Sequence, residues 1–555
     1  MLKQRNARTG LVLTGAAAAI LALGGVTSYA KDRDDDDRRG GISQSGEQKD
    51  MRRVGHSDMQ GRPLYHPIIV RYPDGRHIAF VGTHGGNRPN PLKAGAVELN
   101  GTMIVDVSNP ARPVDKFHIP GPANGAQTQS NRVCLGSQLP GGGSRIYMMR
   151  NVQGSSASGY ELWDVTDVNN PRPIAAVRNL RATHKHWWEC NTGVAYMPGS
   201  KNTPPLWRTP QSMLVYDWGS PPPTVTTGMV VPEVPGYPRY IRTYGTVGAE
   251  PGATGPIPNS LHGPISTAEH PQRAQLLARG HDTVGNRLYL AWGVGDDGIL
   301  QMVNRQRLLP APWGTWVPTA TNRDSPTRAE IEDAQAGIMY MSPDQGGHTS
   351  FPIFGIAPAS YQNFTEFKVR DIVLLASEST SDRCEEAPHW SFVVDVTVEN
   401  SKSSPPYPSS RLSQNPWAGP MVLSTMWVDP RAGEKYPRGN YCTRGARYGV
   451  HSSEENFTNP FYPRVTFLAY FTGGVRAWDI REPQGPKEIA FYVPESNANT
   501  DPDGYMTNNL EVDNRGYIYP VDRNGAGMDI LELRGKARDI ALGRSSGGRD
   551  RDNDD

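Results

Sequence analysis

Gly101-Thr-Met-Ile-Val-Asp106-Val-Ser-Asn-Pro110 decides the fold of this 555-residue chain. Apolar side chains alternate up to Asp106, and a Ser-Asn-Pro cluster follows. Alternation suits a half-buried strand, and a polar cluster ending in proline stops the strand and sets a turn. The phrase returns as Tyr160-Glu-Leu-Trp-Asp164-Val-Thr-Asp-Val-Asn-Asn-Pro171 and as Gly474-Val-Arg-Ala-Trp-Asp479-Ile-Arg-Glu-Pro483. Looser copies are Met213-Leu-Val-Tyr-Asp217 before Pro221, Phe392-Val-Val-Asp395, Gly298-Ile-Leu-Gln-Met-Val-Asn304 with an amide for the acid, and Gly527-Met-Asp-Ile-Leu-Glu532 with a glutamate. Seven copies, about fifty to ninety residues apart, predict seven small antiparallel sheets joined by loops of varied length. One such sheet cannot hide its apolar faces alone, whereas seven packed radially bury them against each other. The expected class is all-β, a seven-bladed β-propeller with long surface loops, each phrase being the exit that closes a blade.

The blades then run from Tyr65 to Asp106, Arg132 to Asp164, His184 to Asp217, Leu261 to Asn304, His348 to Asp395, His451 to Asp479 and Asn508 to Glu532. The propeller as a whole spans 61–537. Pro/Gly-rich stretches from Val231 to Ser260 and from Ser401 to Asn440 lack periodicity and are expected as loops on its faces.

Before the propeller, Lys3, Arg5 and Arg8 precede an apolar run from Leu11 to Val26 and the small residues around Tyr29-Ala30, so residues 1–30 have the layout of a secretory signal. Sixteen apolar and small residues fall short of the ~20 that span a bilayer, and no later run comes near that length. A mature chain without a transmembrane segment, periplasmic or secreted, is the expectation. Residues 31–60 and 538–555 open and close the chain with mixed Asp/Arg runs that read as solvated, disordered tails. The net charge of +1 leaves no basic stripe for nucleic acid.

The cysteines are Cys134, Cys190, Cys384 and Cys442, an even count that permits two bridges in an oxidising compartment. Three pairings are open. Cys134 with Cys190 and Cys384 with Cys442 is favoured, because each pair flanks consecutive blades. No Cys-x-x-Cys spacing supports a thiolate metal site.

The strand exits resemble the bacterial LVIVD repeat, most clearly at Met103-Ile-Val-Asp106-Val-Ser-Asn-Pro110, over most of residues 60–535. That resemblance implies an extracytoplasmic seven-bladed propeller and no single reaction.

Propellers set the first strand of every blade around a central axis, so blade starts face each other whatever their separation in sequence. Histidines recur there, in Thr183-His184-Lys-His186-Trp-Trp-Glu189, Leu261-His262-Gly-Pro264, Gly347-His348-Thr349 and Val450-His451-Ser-Ser-Glu454-Glu455. Imidazole is the commonest protein ligand of iron, copper and zinc, and a ring of neutral imidazoles leaves a coordination position open. His184, His186, His262, His348 and His451 are the candidate metal ligands. Strand alternation puts His184 and His186 on one face, so one of the two is expected to bind. Glu189, Glu378, Glu454 and Glu455 are the candidate carboxylates behind them. The arrangement is similar, as topology alone, to carotenoid-cleaving oxygenases with four axial histidines on iron, and less closely to selenium-binding and methanethiol oxidase propellers. Against this stands the plainer reading that channel histidines satisfy backbone groups or hold water.

Trp187, Trp188, Trp292 and Trp390 fit packing between blades better than a substrate wall. Ser452-Ser453 beside His451 lacks the Gly-x-Ser-x-Gly elbow of a hydrolase. Two functions therefore fit: a metal-dependent oxidoreductase or oxygenase acting on a small molecule, or a non-catalytic scaffold that binds a surface protein or glycan. The catalytic residues beyond the metal ligands are not indicated.

Overall fold

A computed structural model describes residues 47–223, 228–278, 284–363, 368–397 and 419–544. The signal-like segment 1–30 and most of both charged tails lie outside the described residues. Seven antiparallel sheets, each of four or five strands, are the blades. In blade one the strands are Leu64–Arg71, His77–Thr83, Thr102–Asp106 and Val114–Ile119, paired in that order. The inner strands of the others are Asn131–Leu135, Trp187–Trp188, Leu261–Ser266, Thr349–Ile356, Ser452–Ser453 and Thr507–Val512. Among the described residues no helix is long and apolar enough to cross a membrane.

The repeated phrase proves to end the third strand of each blade rather than the last. Its acid explains the break. In five blades the carboxylate accepts the N–H two residues on: Asp106 from Ser108, Asp164 from Thr166, Asp217 from Gly219, Asp395 from Thr397 and Asp479 from Arg481, at 2.9–3.1 Å. This Asx turn reverses the chain into an outer fourth strand. Asn304 instead caps the short helix Arg305–Leu308 by accepting from the Arg307 N–H. Glu532 is a methylene too long for the turn, pairs with Arg52 and Arg534, and its strand runs on to Leu533. Outer strands Arg239–Tyr244 and Met421–Met426 therefore fall inside stretches expected to be loops. They escape a periodicity reading because Arg239 and Met421 are exposed and the strands lie at the rim.

The boundary expected at residue 61 also moves. Met51–Ser57 is the fourth strand of blade seven, pairing with Met528–Leu533, and Gln48–Lys49 adds a fifth strand to blade six. N-terminal chain thus closes a ring begun at the C-terminal end. At the other end Gly535–Ala541 is a helix with Ala537 and Ala541 buried, so the tail starts later than 538.

Between blades the core is apolar: Ile78, Phe80 and Ile104 of blade one meet Met148 and Trp163 of blade two in one buried cluster. The disulfides Cys134–Cys190 and Cys384–Cys442 tie blade two to blade three and the loop between the second and third strands of blade five to the approach to blade six.

Closure by Met51–Ser57 is reinforced by Glu47, which is nearly fully buried and pairs with Arg438 at 2.9 Å and Arg444 at 2.8 Å. Removing residues 47–57 exposes the third strand of blade seven and strands two arginines. The melting temperature should fall on the order of 10 °C, since each kcal/mol is worth a few degrees in a chain of this size.

Candidate metal centre

All inner strands run the same way along the axis, so their first residues meet at one mouth. Tyr65, His262 and Asn508 are the second residues of their inner strands, His348 and His451 immediately precede theirs, and His184 comes three residues before Trp187. Register shifts between Leu64 and Pro67, Leu261 and Gly263, and Thr507 and Leu510 place Tyr65, His262 and Asn508 in bulges, which turn their side chains from the blade toward the axis. Gly263 is needed beside His262: a Cβ there would sit 2.8 Å from Cε of Lys185.

The four imidazoles form a contiguous arc. Ring centroids are 4.3 Å apart for His184 and His262, 3.6 Å for His262 and His348, and 4.2 Å for His348 and His451. The Tyr65 hydroxyl lies 3.3 Å from His184 Nε2, 3.2 Å from His262 Nε2 and 3.4 Å from His348 Nε2. Glu378 closes the other side, with Oε2 at 3.4 Å from His348 Nε2 and Oε1 at 3.6 Å from His451 Nε2. His262, His348 and Glu378 bring their donor atoms within 4.8 Å of one another, close enough to share one metal ion. Ligands bound tetrahedrally at ~2.0–2.1 Å lie about 3.3 Å apart, close to the 3.4 Å between His348 Nε2 and Glu378 Oε2.

Hydrogen bonds decide which nitrogens carry protons. His262 Nδ1 donates to the carbonyl of His348 at 2.8 Å, and His451 Nδ1 donates to that of Asn508 at 2.6 Å. Each therefore presents Nε2 to the axis as a lone pair. His184 Nε2, 2.7 Å from His262 Nε2, must then be the donor of that contact, and to take a metal it would shift its proton to Nδ1. No protein group hydrogen-bonds to His451 Nε2 among the described residues, although the atom is buried and faces a carboxylate. Two electron-rich groups opposed in a dry site repel unless a cation or a proton lies between them, and burial raises the Glu378 carboxyl against the pull of Arg523 and Arg447.

Protonating the imidazoles does not relieve this. Burial pushes His184 down to about 3, with Lys185 and Arg523 adding to it. Burial likewise holds His262, His348 and His451 well below the ordinary imidazole range. The Tyr65 phenol is driven well above its usual value by burial and by Glu378, and stays a neutral donor.

Other residues expected at the site lie elsewhere. His186 is buried against the ring of Tyr160, 5.2 Å between centroids, and its carbonyl accepts from Arg132. Glu189 is clamped by Arg305 at 2.8 and 2.6 Å and by Tyr196 and Ser266, joining blades three and four. Glu454 is tied to Asn459 and to the Asn456 N–H. Glu455 pairs with Lys185 and Arg132, forming a buried ionic floor beneath the imidazoles. Beyond that floor Trp187, Trp188, Arg132 and Phe457 line a cavity of about 420 Å³ at the opposite mouth. Ser453 is locked to Thr349.

Tyr65, Asn508, His84, Arg447 and Arg523 were not expected. Tyr65 had a signal: Leu64-Tyr65-His66-Pro67 matches Leu261-His262-Gly263-Pro264 with Tyr in the axial place. His84, Glu378 and Arg523 each follow a second strand by one or two residues, a position that returns to the same mouth.

The fold is thus a seven-bladed β-propeller, and the site is a buried His/Glu cluster on its axis. No protein-family model and no curated protein matches the chain. Solved propellers do resemble it. Sqt1 from Chaetomium thermophilum aligns at 10% identity with a TM-score of 0.41, over 87% of this chain and 99% of that one. A protein from Lactobacillus plantarum aligns at 9% and 0.38, over 78% and 92%. A hypothetical selenium-binding protein from Sulfolobus tokodaii aligns at 10% and 0.39, over 85% and 91%. At such identities only the fold is shared.

Protein purified without chelator should carry close to one transition metal per chain by elemental analysis. His262→Ala and His348→Ala should lose most of it, while His186→Ala should keep it. In the metal-free protein, ten buried imidazoles are held below their ordinary value, including His118 and His270 at about 4. The unfolded chain takes up protons at these groups below pH ~6.5 and the folded chain does not, so stability falls as pH drops through that value. Six carboxyls raised by burial act oppositely but are fewer: Glu454 and Glu511, pushed up to about 8, Glu269 and Asp522, pushed up to about 7, and Glu378 and Asp115. Denaturation midpoints should therefore decline from pH 6.5 to 4.5, and more steeply below.

Proposed function

We propose that the axial cluster binds a redox-active transition metal and that the protein is a metal-dependent oxidoreductase or oxygenase acting on a small molecule. The observation that carries this is the buried His451 Nε2 lone pair facing Glu378 at 3.6 Å, beside His262 Nε2 and His348 Nε2. His184, His262, His348 and His451 would be the ligands, with Glu378 beside His348 and His451. Imidazole donors suit iron, copper or zinc, and a bound iron or copper supplies one-electron and dioxygen chemistry.

The chain's own groups set the conditions. Lys185 and Glu455 seal the axis below the ring, so a substrate arrives from the mouth lined by His84, Arg447 and Arg523. Tyr65, neutral and within 3.4 Å of three imidazole nitrogens, offers one proton to an atom seated there. Fully buried ligands exclude bulk water and strengthen each electrostatic contact. The two disulfides and the signal-like 1–30 support an extracytoplasmic location, in keeping with the LVIVD-like phrases at the third strands.

An oxygen electrode tests the reading. Protein reconstituted anaerobically with Fe(II) or Cu(I) and exposed to air with a library of small organic molecules should consume oxygen above the free-metal blank for at least one of them, and His348→Ala should not. Uptake equal to the blank across the library, with metal bound, would favour the scaffold that displays loops to a surface protein or glycan.

A further inference from the structure

At the rim of the centre the guanidinium groups of Arg447 and Arg523 share one close carboxylate among the described residues, Glu378, with Arg447 Nη1 at 3.2 Å and Arg523 Nη1 at 3.8 Å from the same Oε1, while Asp382 acts on Arg523 from farther off. Glu378 also faces His348 and His451, so a cation held there divides its charge further. Glu455 does not help to balance the two guanidinium groups, being paired to Lys185 and Arg132 below the ring.

Arg523 is the less satisfied of the pair. Three-quarters of its side chain is buried, yet it makes no side-chain hydrogen bond among the described residues beyond that long ion pair. A guanidinium carries five N–H donors in a planar fork, and the exposed quarter of the Arg523 side chain leaves that fork open to an entering anion. Its charge is felt by Tyr65, His84, His184 and His451, which puts it over the ring rather than at the outer surface. Arg447 acts on His84 and His451 as well. Beside them His84 stacks edge-on against Tyr65, 5.3 Å between centroids, and its buried Nε2 has no protein partner among the described residues.

We propose that Arg523 and Arg447 bind the carboxylate of a small organic acid and hold the rest of that molecule over Tyr65 and the imidazoles. The proposal rests on the metal-centre reading and adds the class of substrate. A carboxylate takes two parallel N–H donors from the Arg523 fork and is fixed in direction as well as position. Its body then points down the axis, with His84 Nε2 within the same mouth. A cationic substrate is repelled by the same pair.

The test uses the full mature chain loaded with Zn(II), which is redox-silent, with metal content measured by elemental analysis. Benzoate is the probe, benzamide its neutral counterpart and inorganic phosphate the competing anion, all followed by calorimetry. Benzoate should bind at least tenfold tighter than benzamide. Arg523→Leu and, separately, Arg447→Leu should each lower benzoate affinity at least tenfold with zinc still near one per chain, and Arg523→Lys should restore part of the loss. Equal binding of benzoate and benzamide, or unchanged benzoate affinity in both leucine variants with zinc retained, overturns the substrate class and leaves the metal centre standing. Phosphate competing as strongly as benzoate also overturns it, because the pair would then be reading charge alone. Wild-type protein that holds no zinc overturns the metal reading itself.

Discussion

The lone pair of His451 faces the carboxylate of Glu378 inside the protein, and the centre is built around that opposition. His451 cannot turn away, because its other nitrogen is held by the Asn508 carbonyl, and Asn508 in turn donates to the carbonyl of Tyr65 at 3.0 Å. Nor can it take a proton cheaply in a dry site beside Arg523, Lys185 and Arg447. His262 is fixed in the same sense by the His348 backbone. A fold that fixes lone pairs toward a carboxylate leaves a place between them for a cation, or for a proton on the raised Glu378 carboxyl.

The propeller makes this possible by direction. Inner strands that all run one way deliver their first residues to one mouth and their last to the other. The two ends of the channel consequently differ in chemistry: imidazoles, tyrosine and a carboxylate above, then the Lys185–Glu455–Arg132 floor, then an aromatic-walled cavity below. The floor is a buried ionic cluster whose removal of either partner would leave an unpaired charge. It lies between the axial imidazoles and the lower cavity.

The repeated phrase made the blade count legible, because an Asx turn after an alternating strand writes both its period and its stop into few residues. It misled about where a blade ends. The strand after the turn is the rim strand, whose exposed face mixes polar and apolar residues and has no clean period, as Met421–Met426 shows. Ring closure by Met51–Ser57 was hidden for a different reason: Arg52, Arg53 and His56 look like part of the charged tail until their partner Asp529 and Glu532 are seen. At the site, four histidines could be read because blade starts were known. His186 and Glu189 sat near a correct position but face Tyr160 and Arg305, a choice made by the local path of 183–189, which is not a regular strand until Trp187. Arg523 and Arg447 were illegible, since arginines near strand ends are common: Arg523 comes to the mouth at the end of a second strand, and Arg447 on the approach to the inner strand of blade six.

X-ray absorption at the zinc edge of the loaded protein addresses the central claim most directly. The account predicts about four nitrogen or oxygen neighbours near 2.0–2.1 Å, with the outer-shell pattern of several imidazole rings. An oxygen-only shell without that pattern would place the metal elsewhere and remove the axial histidines from any shared chemistry.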